Sequence, residues 1–123
     1  MQEDMSVMAI QSVCDSKEIA EEIIATCLLE GIVASADLED GVLTFSMVDG
    51  IPRQSKSVKV TFKTTGDLYP KVMSAITEMH PELEFRTCAY PIAVSRRVDH
   101  WVAEQCGSSH IPAAKSQKLS LAH

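Results

Sequence analysis

A chain of 123 residues is long enough for one domain that buries roughly two-thirds of its unfolded surface, with no need of disulfide or metal staples. Hydrophobic residues at 46% and charged residues at 23% are ordinary for a globular domain, whereas aromatics at 5% imply a core of Ile, Val, Leu, Ala and Met. The formal net charge of −6, with no basic run beyond Arg96-Arg97, excludes phosphate-driven nucleic-acid binding. No apolar run approaches the ~20 residues of a membrane span, so neither nucleic acid nor membrane is expected as a partner.

In chain order, Ser6 to Ser12 is almost wholly apolar and reads as a central strand covered on both faces. Asp15 is placed to cap the helix that follows, with Glu18 at capping-box spacing. The apolar stripe of that helix is Ile19, Ile23 and Cys27 with Ala20, Ile24 and Leu28, and Gly31 supplies its left-handed stop. Ile32 to Leu38 reads as a second strand, interrupted at Glu39-Asp40-Gly41. Beyond that break Leu43, Phe45 and Met47 alternate with polar residues, as one long bent strand or two short ones. Asp49-Gly50 is a turn dipeptide and Ile51-Pro52 delays the restart, predicting a hairpin connection of several residues.

Val58, Val60 and Phe62 then alternate in Ser57 to Phe62, the period of a strand with one buried face. Lys63-Thr64-Thr65 closes it. Leu68, Val72, Ala75, Ile76 and Met79 recur at helical spacing, with Thr65 or Asp67 as cap, Pro70 in the first turn and His80-Pro81 as the stop. Leu83 to Val94 reads as a fourth strand. Ser95 can cap a last helix carrying Val98, Trp101 and Val102 on its packed side, ending at Gly107. Residues 1–107 thus form the domain, and 108–123 read as a tail, flexible or laid as an arm on a neighbour.

Cys14, Cys27, Cys88 and Cys106 are spaced too widely for a zinc ribbon. Cys27 and Cys88 fall in helix and strand patterns as small buried hydrophobes, and the acidic N-terminus is unlike a signal peptide, so a reduced, cytoplasmic chain is expected. The order β-α-β-β-α-β specifies an α+β, ferredoxin-like sandwich: an antiparallel sheet of order 4-1-3-2 with two helices on one face, plus the C-terminal helix. Two helices cover one face only. A second apolar partner is therefore expected for the sheet, most economically another subunit.

The segment Leu28-Leu29-Glu30-Gly31-Ile32-Val33-Ala34-Ser35-Ala36, the strand-to-helix Lys63-Thr64-Thr65, the stop His80-Pro81 and Trp101 together resemble the CutA family, over roughly 6–105. Ser35 stands where that family usually has Cys, Val48 where it has Trp, and Glu82 to Arg86 where it has a Tyr-x-x-Pro-Glu run. The resemblance implies a non-enzymatic homotrimer, with sheets packed around a three-fold axis, that takes part in the response to divalent metal ions. It also implies a copper or zinc site from a Cys at the end of the first strand and the His and acidic residue at the His-Pro stop, here Cys14, His80 and Glu82. Counting places the family's Cys on Ser12, two residues before Cys14.

Lys63, Thr64 and Thr65, just before a helix N-terminus, and Arg86, able to line a subunit cleft, are candidates for a small anionic ligand. PII-like signalling proteins share the plait and the trimer and imply a nucleotide in the clefts between subunits, but such sites need a long loop between the middle strands and basic residues for phosphates. A Cys14 nucleophile with His80 as base lacks an orienting third group, and no phosphate loop is present, so no enzyme is expected.

Overall fold

In a computed structural model, residues 4–106 are described, and for residues 4 and 5 only the backbone is described. The expected tail, 108–123, and the expected helix end at Gly107 lie outside the described residues. The elements are β1 (Asp4–Cys14), α1 (Lys17–Leu29), β2 (Ser35–Val48), β3 (Ile51–Thr65), α2 (Tyr69–Met79), a 3-10 helix (Pro81–Arg86), β4 (Thr87–Val94) and α3 (Arg96–Gln105). Every strand pairing is antiparallel and the order is β2-β3-β1-β4, the α+β plait read from the sequence.

The main core lies between this sheet and the helices. Ile10 and Cys14 of β1 and Val58, Val60 and Phe62 of β3 meet Ala20, Ile23, Ile24 and Cys27 of α1 and Val72 and Ile76 of α2. Phe62 sits opposite Ile10 in the ladder, and both are wholly buried. A smaller cluster joins Val7 to Val102 and Cys106 at the end of α3, which is also tied to β1 by a Ser6 hydroxyl donating to Asp99. β1 is central, as its run of apolar residues required.

Several local expectations are corrected. Ser16, not Asp15, caps α1, its hydroxyl accepting from the Ile19 N–H at 3.2 Å. α2 has no side-chain cap, although Thr65 accepts from the Leu68 N–H just ahead of it. Ile32 to Ala34 form a link before β2, with the Ala34 N–H donating to the Lys63 carbonyl. Leu83 and Phe85 do not begin a strand. Pro81 opens a 3-10 turn closed by the Leu83 N–H on the His80 carbonyl, which buries Leu83 and leaves Phe85 91% exposed. Cys88 lies opposite Gln11, one residue out of phase with the core-packed Ala89, and is exposed. Trp101, expected to pack, is 44% exposed, while its neighbour Val102 is buried.

β2 is the long bent strand of the two alternatives. Its bend is a bulge between Glu39 and Val42, where Gly41 adopts φ +71° and donates its N–H to Asp40 Oδ1. One extra residue flips the alternation, so that Leu43, Phe45 and Met47 continue on the face begun by Ala36 and Leu38. The hairpin is tighter than expected. Asp49 and Gly50, both at positive φ, join Val48 directly to its partner Ile51, the backbone hand that suits a two-residue turn between twisted strands.

Truncating the buried contact that joins sheet to helices should be severe: Phe62→Ala is expected to cost about 3–5 kcal/mol. Urea unfolding of the variant and the parent at equal protein concentration measures it, and a loss below about 1 kcal/mol would mean that Phe62 is not at the centre of the core.

Candidate functional site

β1 ends at Cys14 opposite Val58, and β4 begins at Thr87, but β2 and β3 run on together from Val42–Ser57 to the turn. The sheet therefore ends in a step with a two-stranded arm rising past it. Into this step come the β1–α1 turn, the end of the 3-10 helix and the base of the arm. Arg86 Nη1 donates to Asp15 Oδ1 at 2.6 Å and Nη2 reaches Ser57 Oγ at 3.4 Å, while the Thr44 hydroxyl donates to the same Ser57 oxygen at 3.0 Å. The resulting cleft, about 440 Å³, is lined by Val13, Asp15, Thr44, Ser46, Ser55 and Arg86. A smaller hollow of about 150 Å³ shares Asp15 with it and adds Lys17, Lys56 and the Asp40-Gly41 bulge.

His80 ends α2, its N–H donating to the Ile76 carbonyl. Its Nε2 lies 3.0 Å from Glu22 Oε1 on α1, and its Nδ1 lies 3.4 Å from Glu82 Oε2 in the 3-10 helix. Each ring nitrogen thus faces a carboxylate, and the imidazole clamps α1, α2 and the 3-10 helix together. His80 and Glu82 are brought together. Cys14 is fully buried in the main core, and burial pushes its thiol above the ordinary range, with Arg86 opposing and Asp15 and Glu82 reinforcing the rise. Among the described residues no group of three or more His, Cys, Asp or Glu side chains is arranged to hold a metal ion. Ser12, the position reached by counting, is buried and shares a 2.7 Å hydroxyl contact with Thr87.

Lys63, Thr64 and Thr65 lie opposite Val7 to Ala9, near the start of β1, whereas Arg86 lies beyond its end. Within one chain, then, the two candidate positions lie at opposite ends of β1. The Thr64 hydroxyl is buried and donates to the Ile32 carbonyl at 2.6 Å, and Thr65 holds the Leu68 N–H. Sequence reasoning missed Glu22 and the hydroxyl wall of Thr44, Ser46 and Ser55. The wall's signal was present, since Thr44 and Ser46 alternate with Leu43, Phe45 and Met47 and must take the opposite face of the arm.

A family model described as CutA1 divalent ion tolerance protein matches residues 8–105. No curated protein matches the sequence significantly. Among solved structures, the divalent cation tolerance protein Cut A1 of Thermus thermophilus is similar at 22% identity, over 82% of this chain and 99% of that one, with a TM-score of 0.75. CutA of Xylella fastidiosa is similar at 18% identity over 83% and 99%, with a TM-score of 0.77. CutA1 of Oryza sativa is similar at 15% over 85% and 97%, with a TM-score of 0.76. These likenesses are likenesses of fold.

Burial of the thiols has a measurable consequence at high pH. Desolvation pushes Cys27 up to about 12 from an ordinary 9.0, with Glu30 adding to the rise. Below pH 9 the thiol is protonated in both states and its contribution is full. Between pH 9 and 12 the unfolded chain ionises while the folded one keeps its proton, so stability falls by at most about 1.4 kcal/mol per pH unit. Urea unfolding at about pH 8.5 and about pH 10.5 should show a steeper loss for the parent than for Cys27→Ala; equal slopes would contradict the burial of that thiol.

Proposed function

The chain belongs to the CutA1 divalent ion tolerance family, and on that footing we propose that it serves the cytoplasmic response to divalent metal ions as a non-enzymatic homotrimer joined through the β2–β3 arm. The observation that carries the assembly is the arm itself. Leu43, Phe45 and Met47 are 51%, 70% and 65% exposed along one of its faces, and Val48 and Ile51 are exposed at its tip. A two-stranded hairpin is marginal alone in water, and a contiguous apolar row on it marks an interaction surface. Fully burying one such side chain contributes about 1.5–3 kcal/mol. A second copy is the natural cover because every copy carries the same unpaired arm, and the resemblance to the family supplies the count of three. Cys14, Cys27 and Cys88 are free thiols, which fits a reducing compartment. The two-residue Asp49-Gly50 turn favours this reading over a PII-like nucleotide sensor, which would need a long loop there.

Copper or zinc binding is the second part of the reading. In support of the Cys14, His80 and Glu82 set, His80 Nδ1 lies 3.4 Å from Glu82 and Nε2 lies 3.0 Å from a further carboxylate, Glu22. Imidazole and carboxylate are donors that both metals accept. An ion held here would need its remaining ligands from outside the single chain, which ties metal binding to assembly.

Native mass spectrometry tests the assembly: the parent should be a trimer, and Phe45→Glu, which places a charge in the covered row, should shift it to monomer. A monomeric parent, or a Phe45→Glu trimer of unchanged stability, would overturn the arm as the joint. Equilibrium dialysis against zinc or copper tests the metal. Binding by the parent should be lost in His80→Ala, and equal uptake by both proteins would remove His80 from the site.

A further inference from the structure

We propose that the cleft at the foot of the arm is a binding site for a small hydroxylated oxyanion, a carboxylate or phosphate group on a polar body, received by Arg86 in exchange for Asp15. The cleft's volume, about 440 Å³, is that of a small-molecule site, with hydrogen-bonding groups set among the apolar stems of its lining side chains. Among the described residues Val13 is the one apolar side chain in its lining; the rest are Arg86, Asp15 and three hydroxyl residues of the arm.

Arg86 is held in place for such a task. Its side chain is 28% exposed, braced below by Ser57, whose hydroxyl is itself fixed by Thr44. A guanidinium presents five N–H donors in a planar fork, and the contacts to Asp15 and Ser57 occupy two of them. The fork therefore has donors left for a carboxylate or phosphate, which it recognises in paired fashion.

Asp15 is the group that can give way. Its side chain is 72% exposed, so its pairing with Arg86 is of the exposed kind that contributes little. It also lines the neighbouring hollow, where Lys17 and Lys56 offer it other cations. The two hollows together hold Arg86, Lys17 and Lys56 against Asp15 and Asp40, a local excess of positive charge in a chain whose formal net charge is −6. That excess draws an anion to this end of the sheet. Across the cleft Thr44, Ser46 and Ser55 stand in position to bind the hydroxyls of the ligand's body. The cleft shares no lining residue with the His80, Glu22 and Glu82 cluster, and the proposal does not rest on metal binding.

Calorimetric titration of the full chain with citrate and with inorganic phosphate, against sodium chloride at equal ionic strength, tests the site. Saturable binding of citrate, tighter than that of phosphate, is expected. Arg86→Gln should weaken it at least tenfold. Asp15→Asn should tighten it, by about two- to fivefold, because the internal competitor loses its charge. Ser46→Ala with Ser55→Ala should remove the preference for citrate. Heat from neither anion, an unchanged affinity in Arg86→Gln, or an Asp15→Asn variant that binds no better than the parent would overturn the proposal. If Arg86→Gln fails to fold, the Asp15 and serine variants decide, since those side chains stand at the surface.

Discussion

The pairing of β2 with β3 outruns the sheet to which it belongs. β1 can follow β3 only from Thr65 to Val58, because at Cys14 it must turn into α1, whereas β2 stays hydrogen-bonded to β3 all the way to Ile51. The uncovered apolar row and the hydroxyl-lined cleft both lie where the lengths cease to match. On one face of the surplus ladder an apolar row continues past the point where the fold's own side chains cover it. On the other face a row of hydroxyls overlooks the open end of β1. The bulge at Glu39–Val42 makes this division possible, since without the extra residue the apolar row would change faces halfway along β2.

The short 3-10 helix is the second organising piece. Pro81 ends α2, Leu83 anchors the turn in the main core, and the residues on either side of that anchor point to two separate polar groups. Glu82 reaches back to His80, and Arg86 reaches forward to Asp15 and the base of the arm. A strand over the same residues would have put Leu83 and Phe85 on one face. The tighter turn instead buries the first and presents the second to solvent.

Much of this was legible in the residues. Alternation at Val58, Val60 and Phe62, helical spacing from Ile19 to Cys27 and from Val72 to Met79, and the stops at Gly31 and His80-Pro81 led to the correct plait and strand order, because burial imposes those periods directly. Failures came where two local chemistries competed. Asp15 and Ser16 are both good caps, and a distant Arg86 engages the first. Asp49-Gly50 followed by Ile51-Pro52 could make a connection of several residues or close a two-residue turn, and strand pairing up to Ile51 selects the turn. The sites were less legible than the fold. Glu22 lies 58 residues from His80 and Asp15 lies 71 from Arg86, and no spacing rule along one chain connects them.

Because the arm's exposed row is the feature on which assembly rests, the protection of its backbone is the most direct measure of whether it is covered. Hydrogen exchange of the full chain should find the cross-strand amides of Val42–Val48 and Ile51–Ser57 exchanging as slowly as those of β1, since a covered arm opens only when the assembly does. Exchange in the arm orders of magnitude faster than in β1, at a protein concentration where the parent is fully associated, would show a hairpin standing alone in water and would contradict the account.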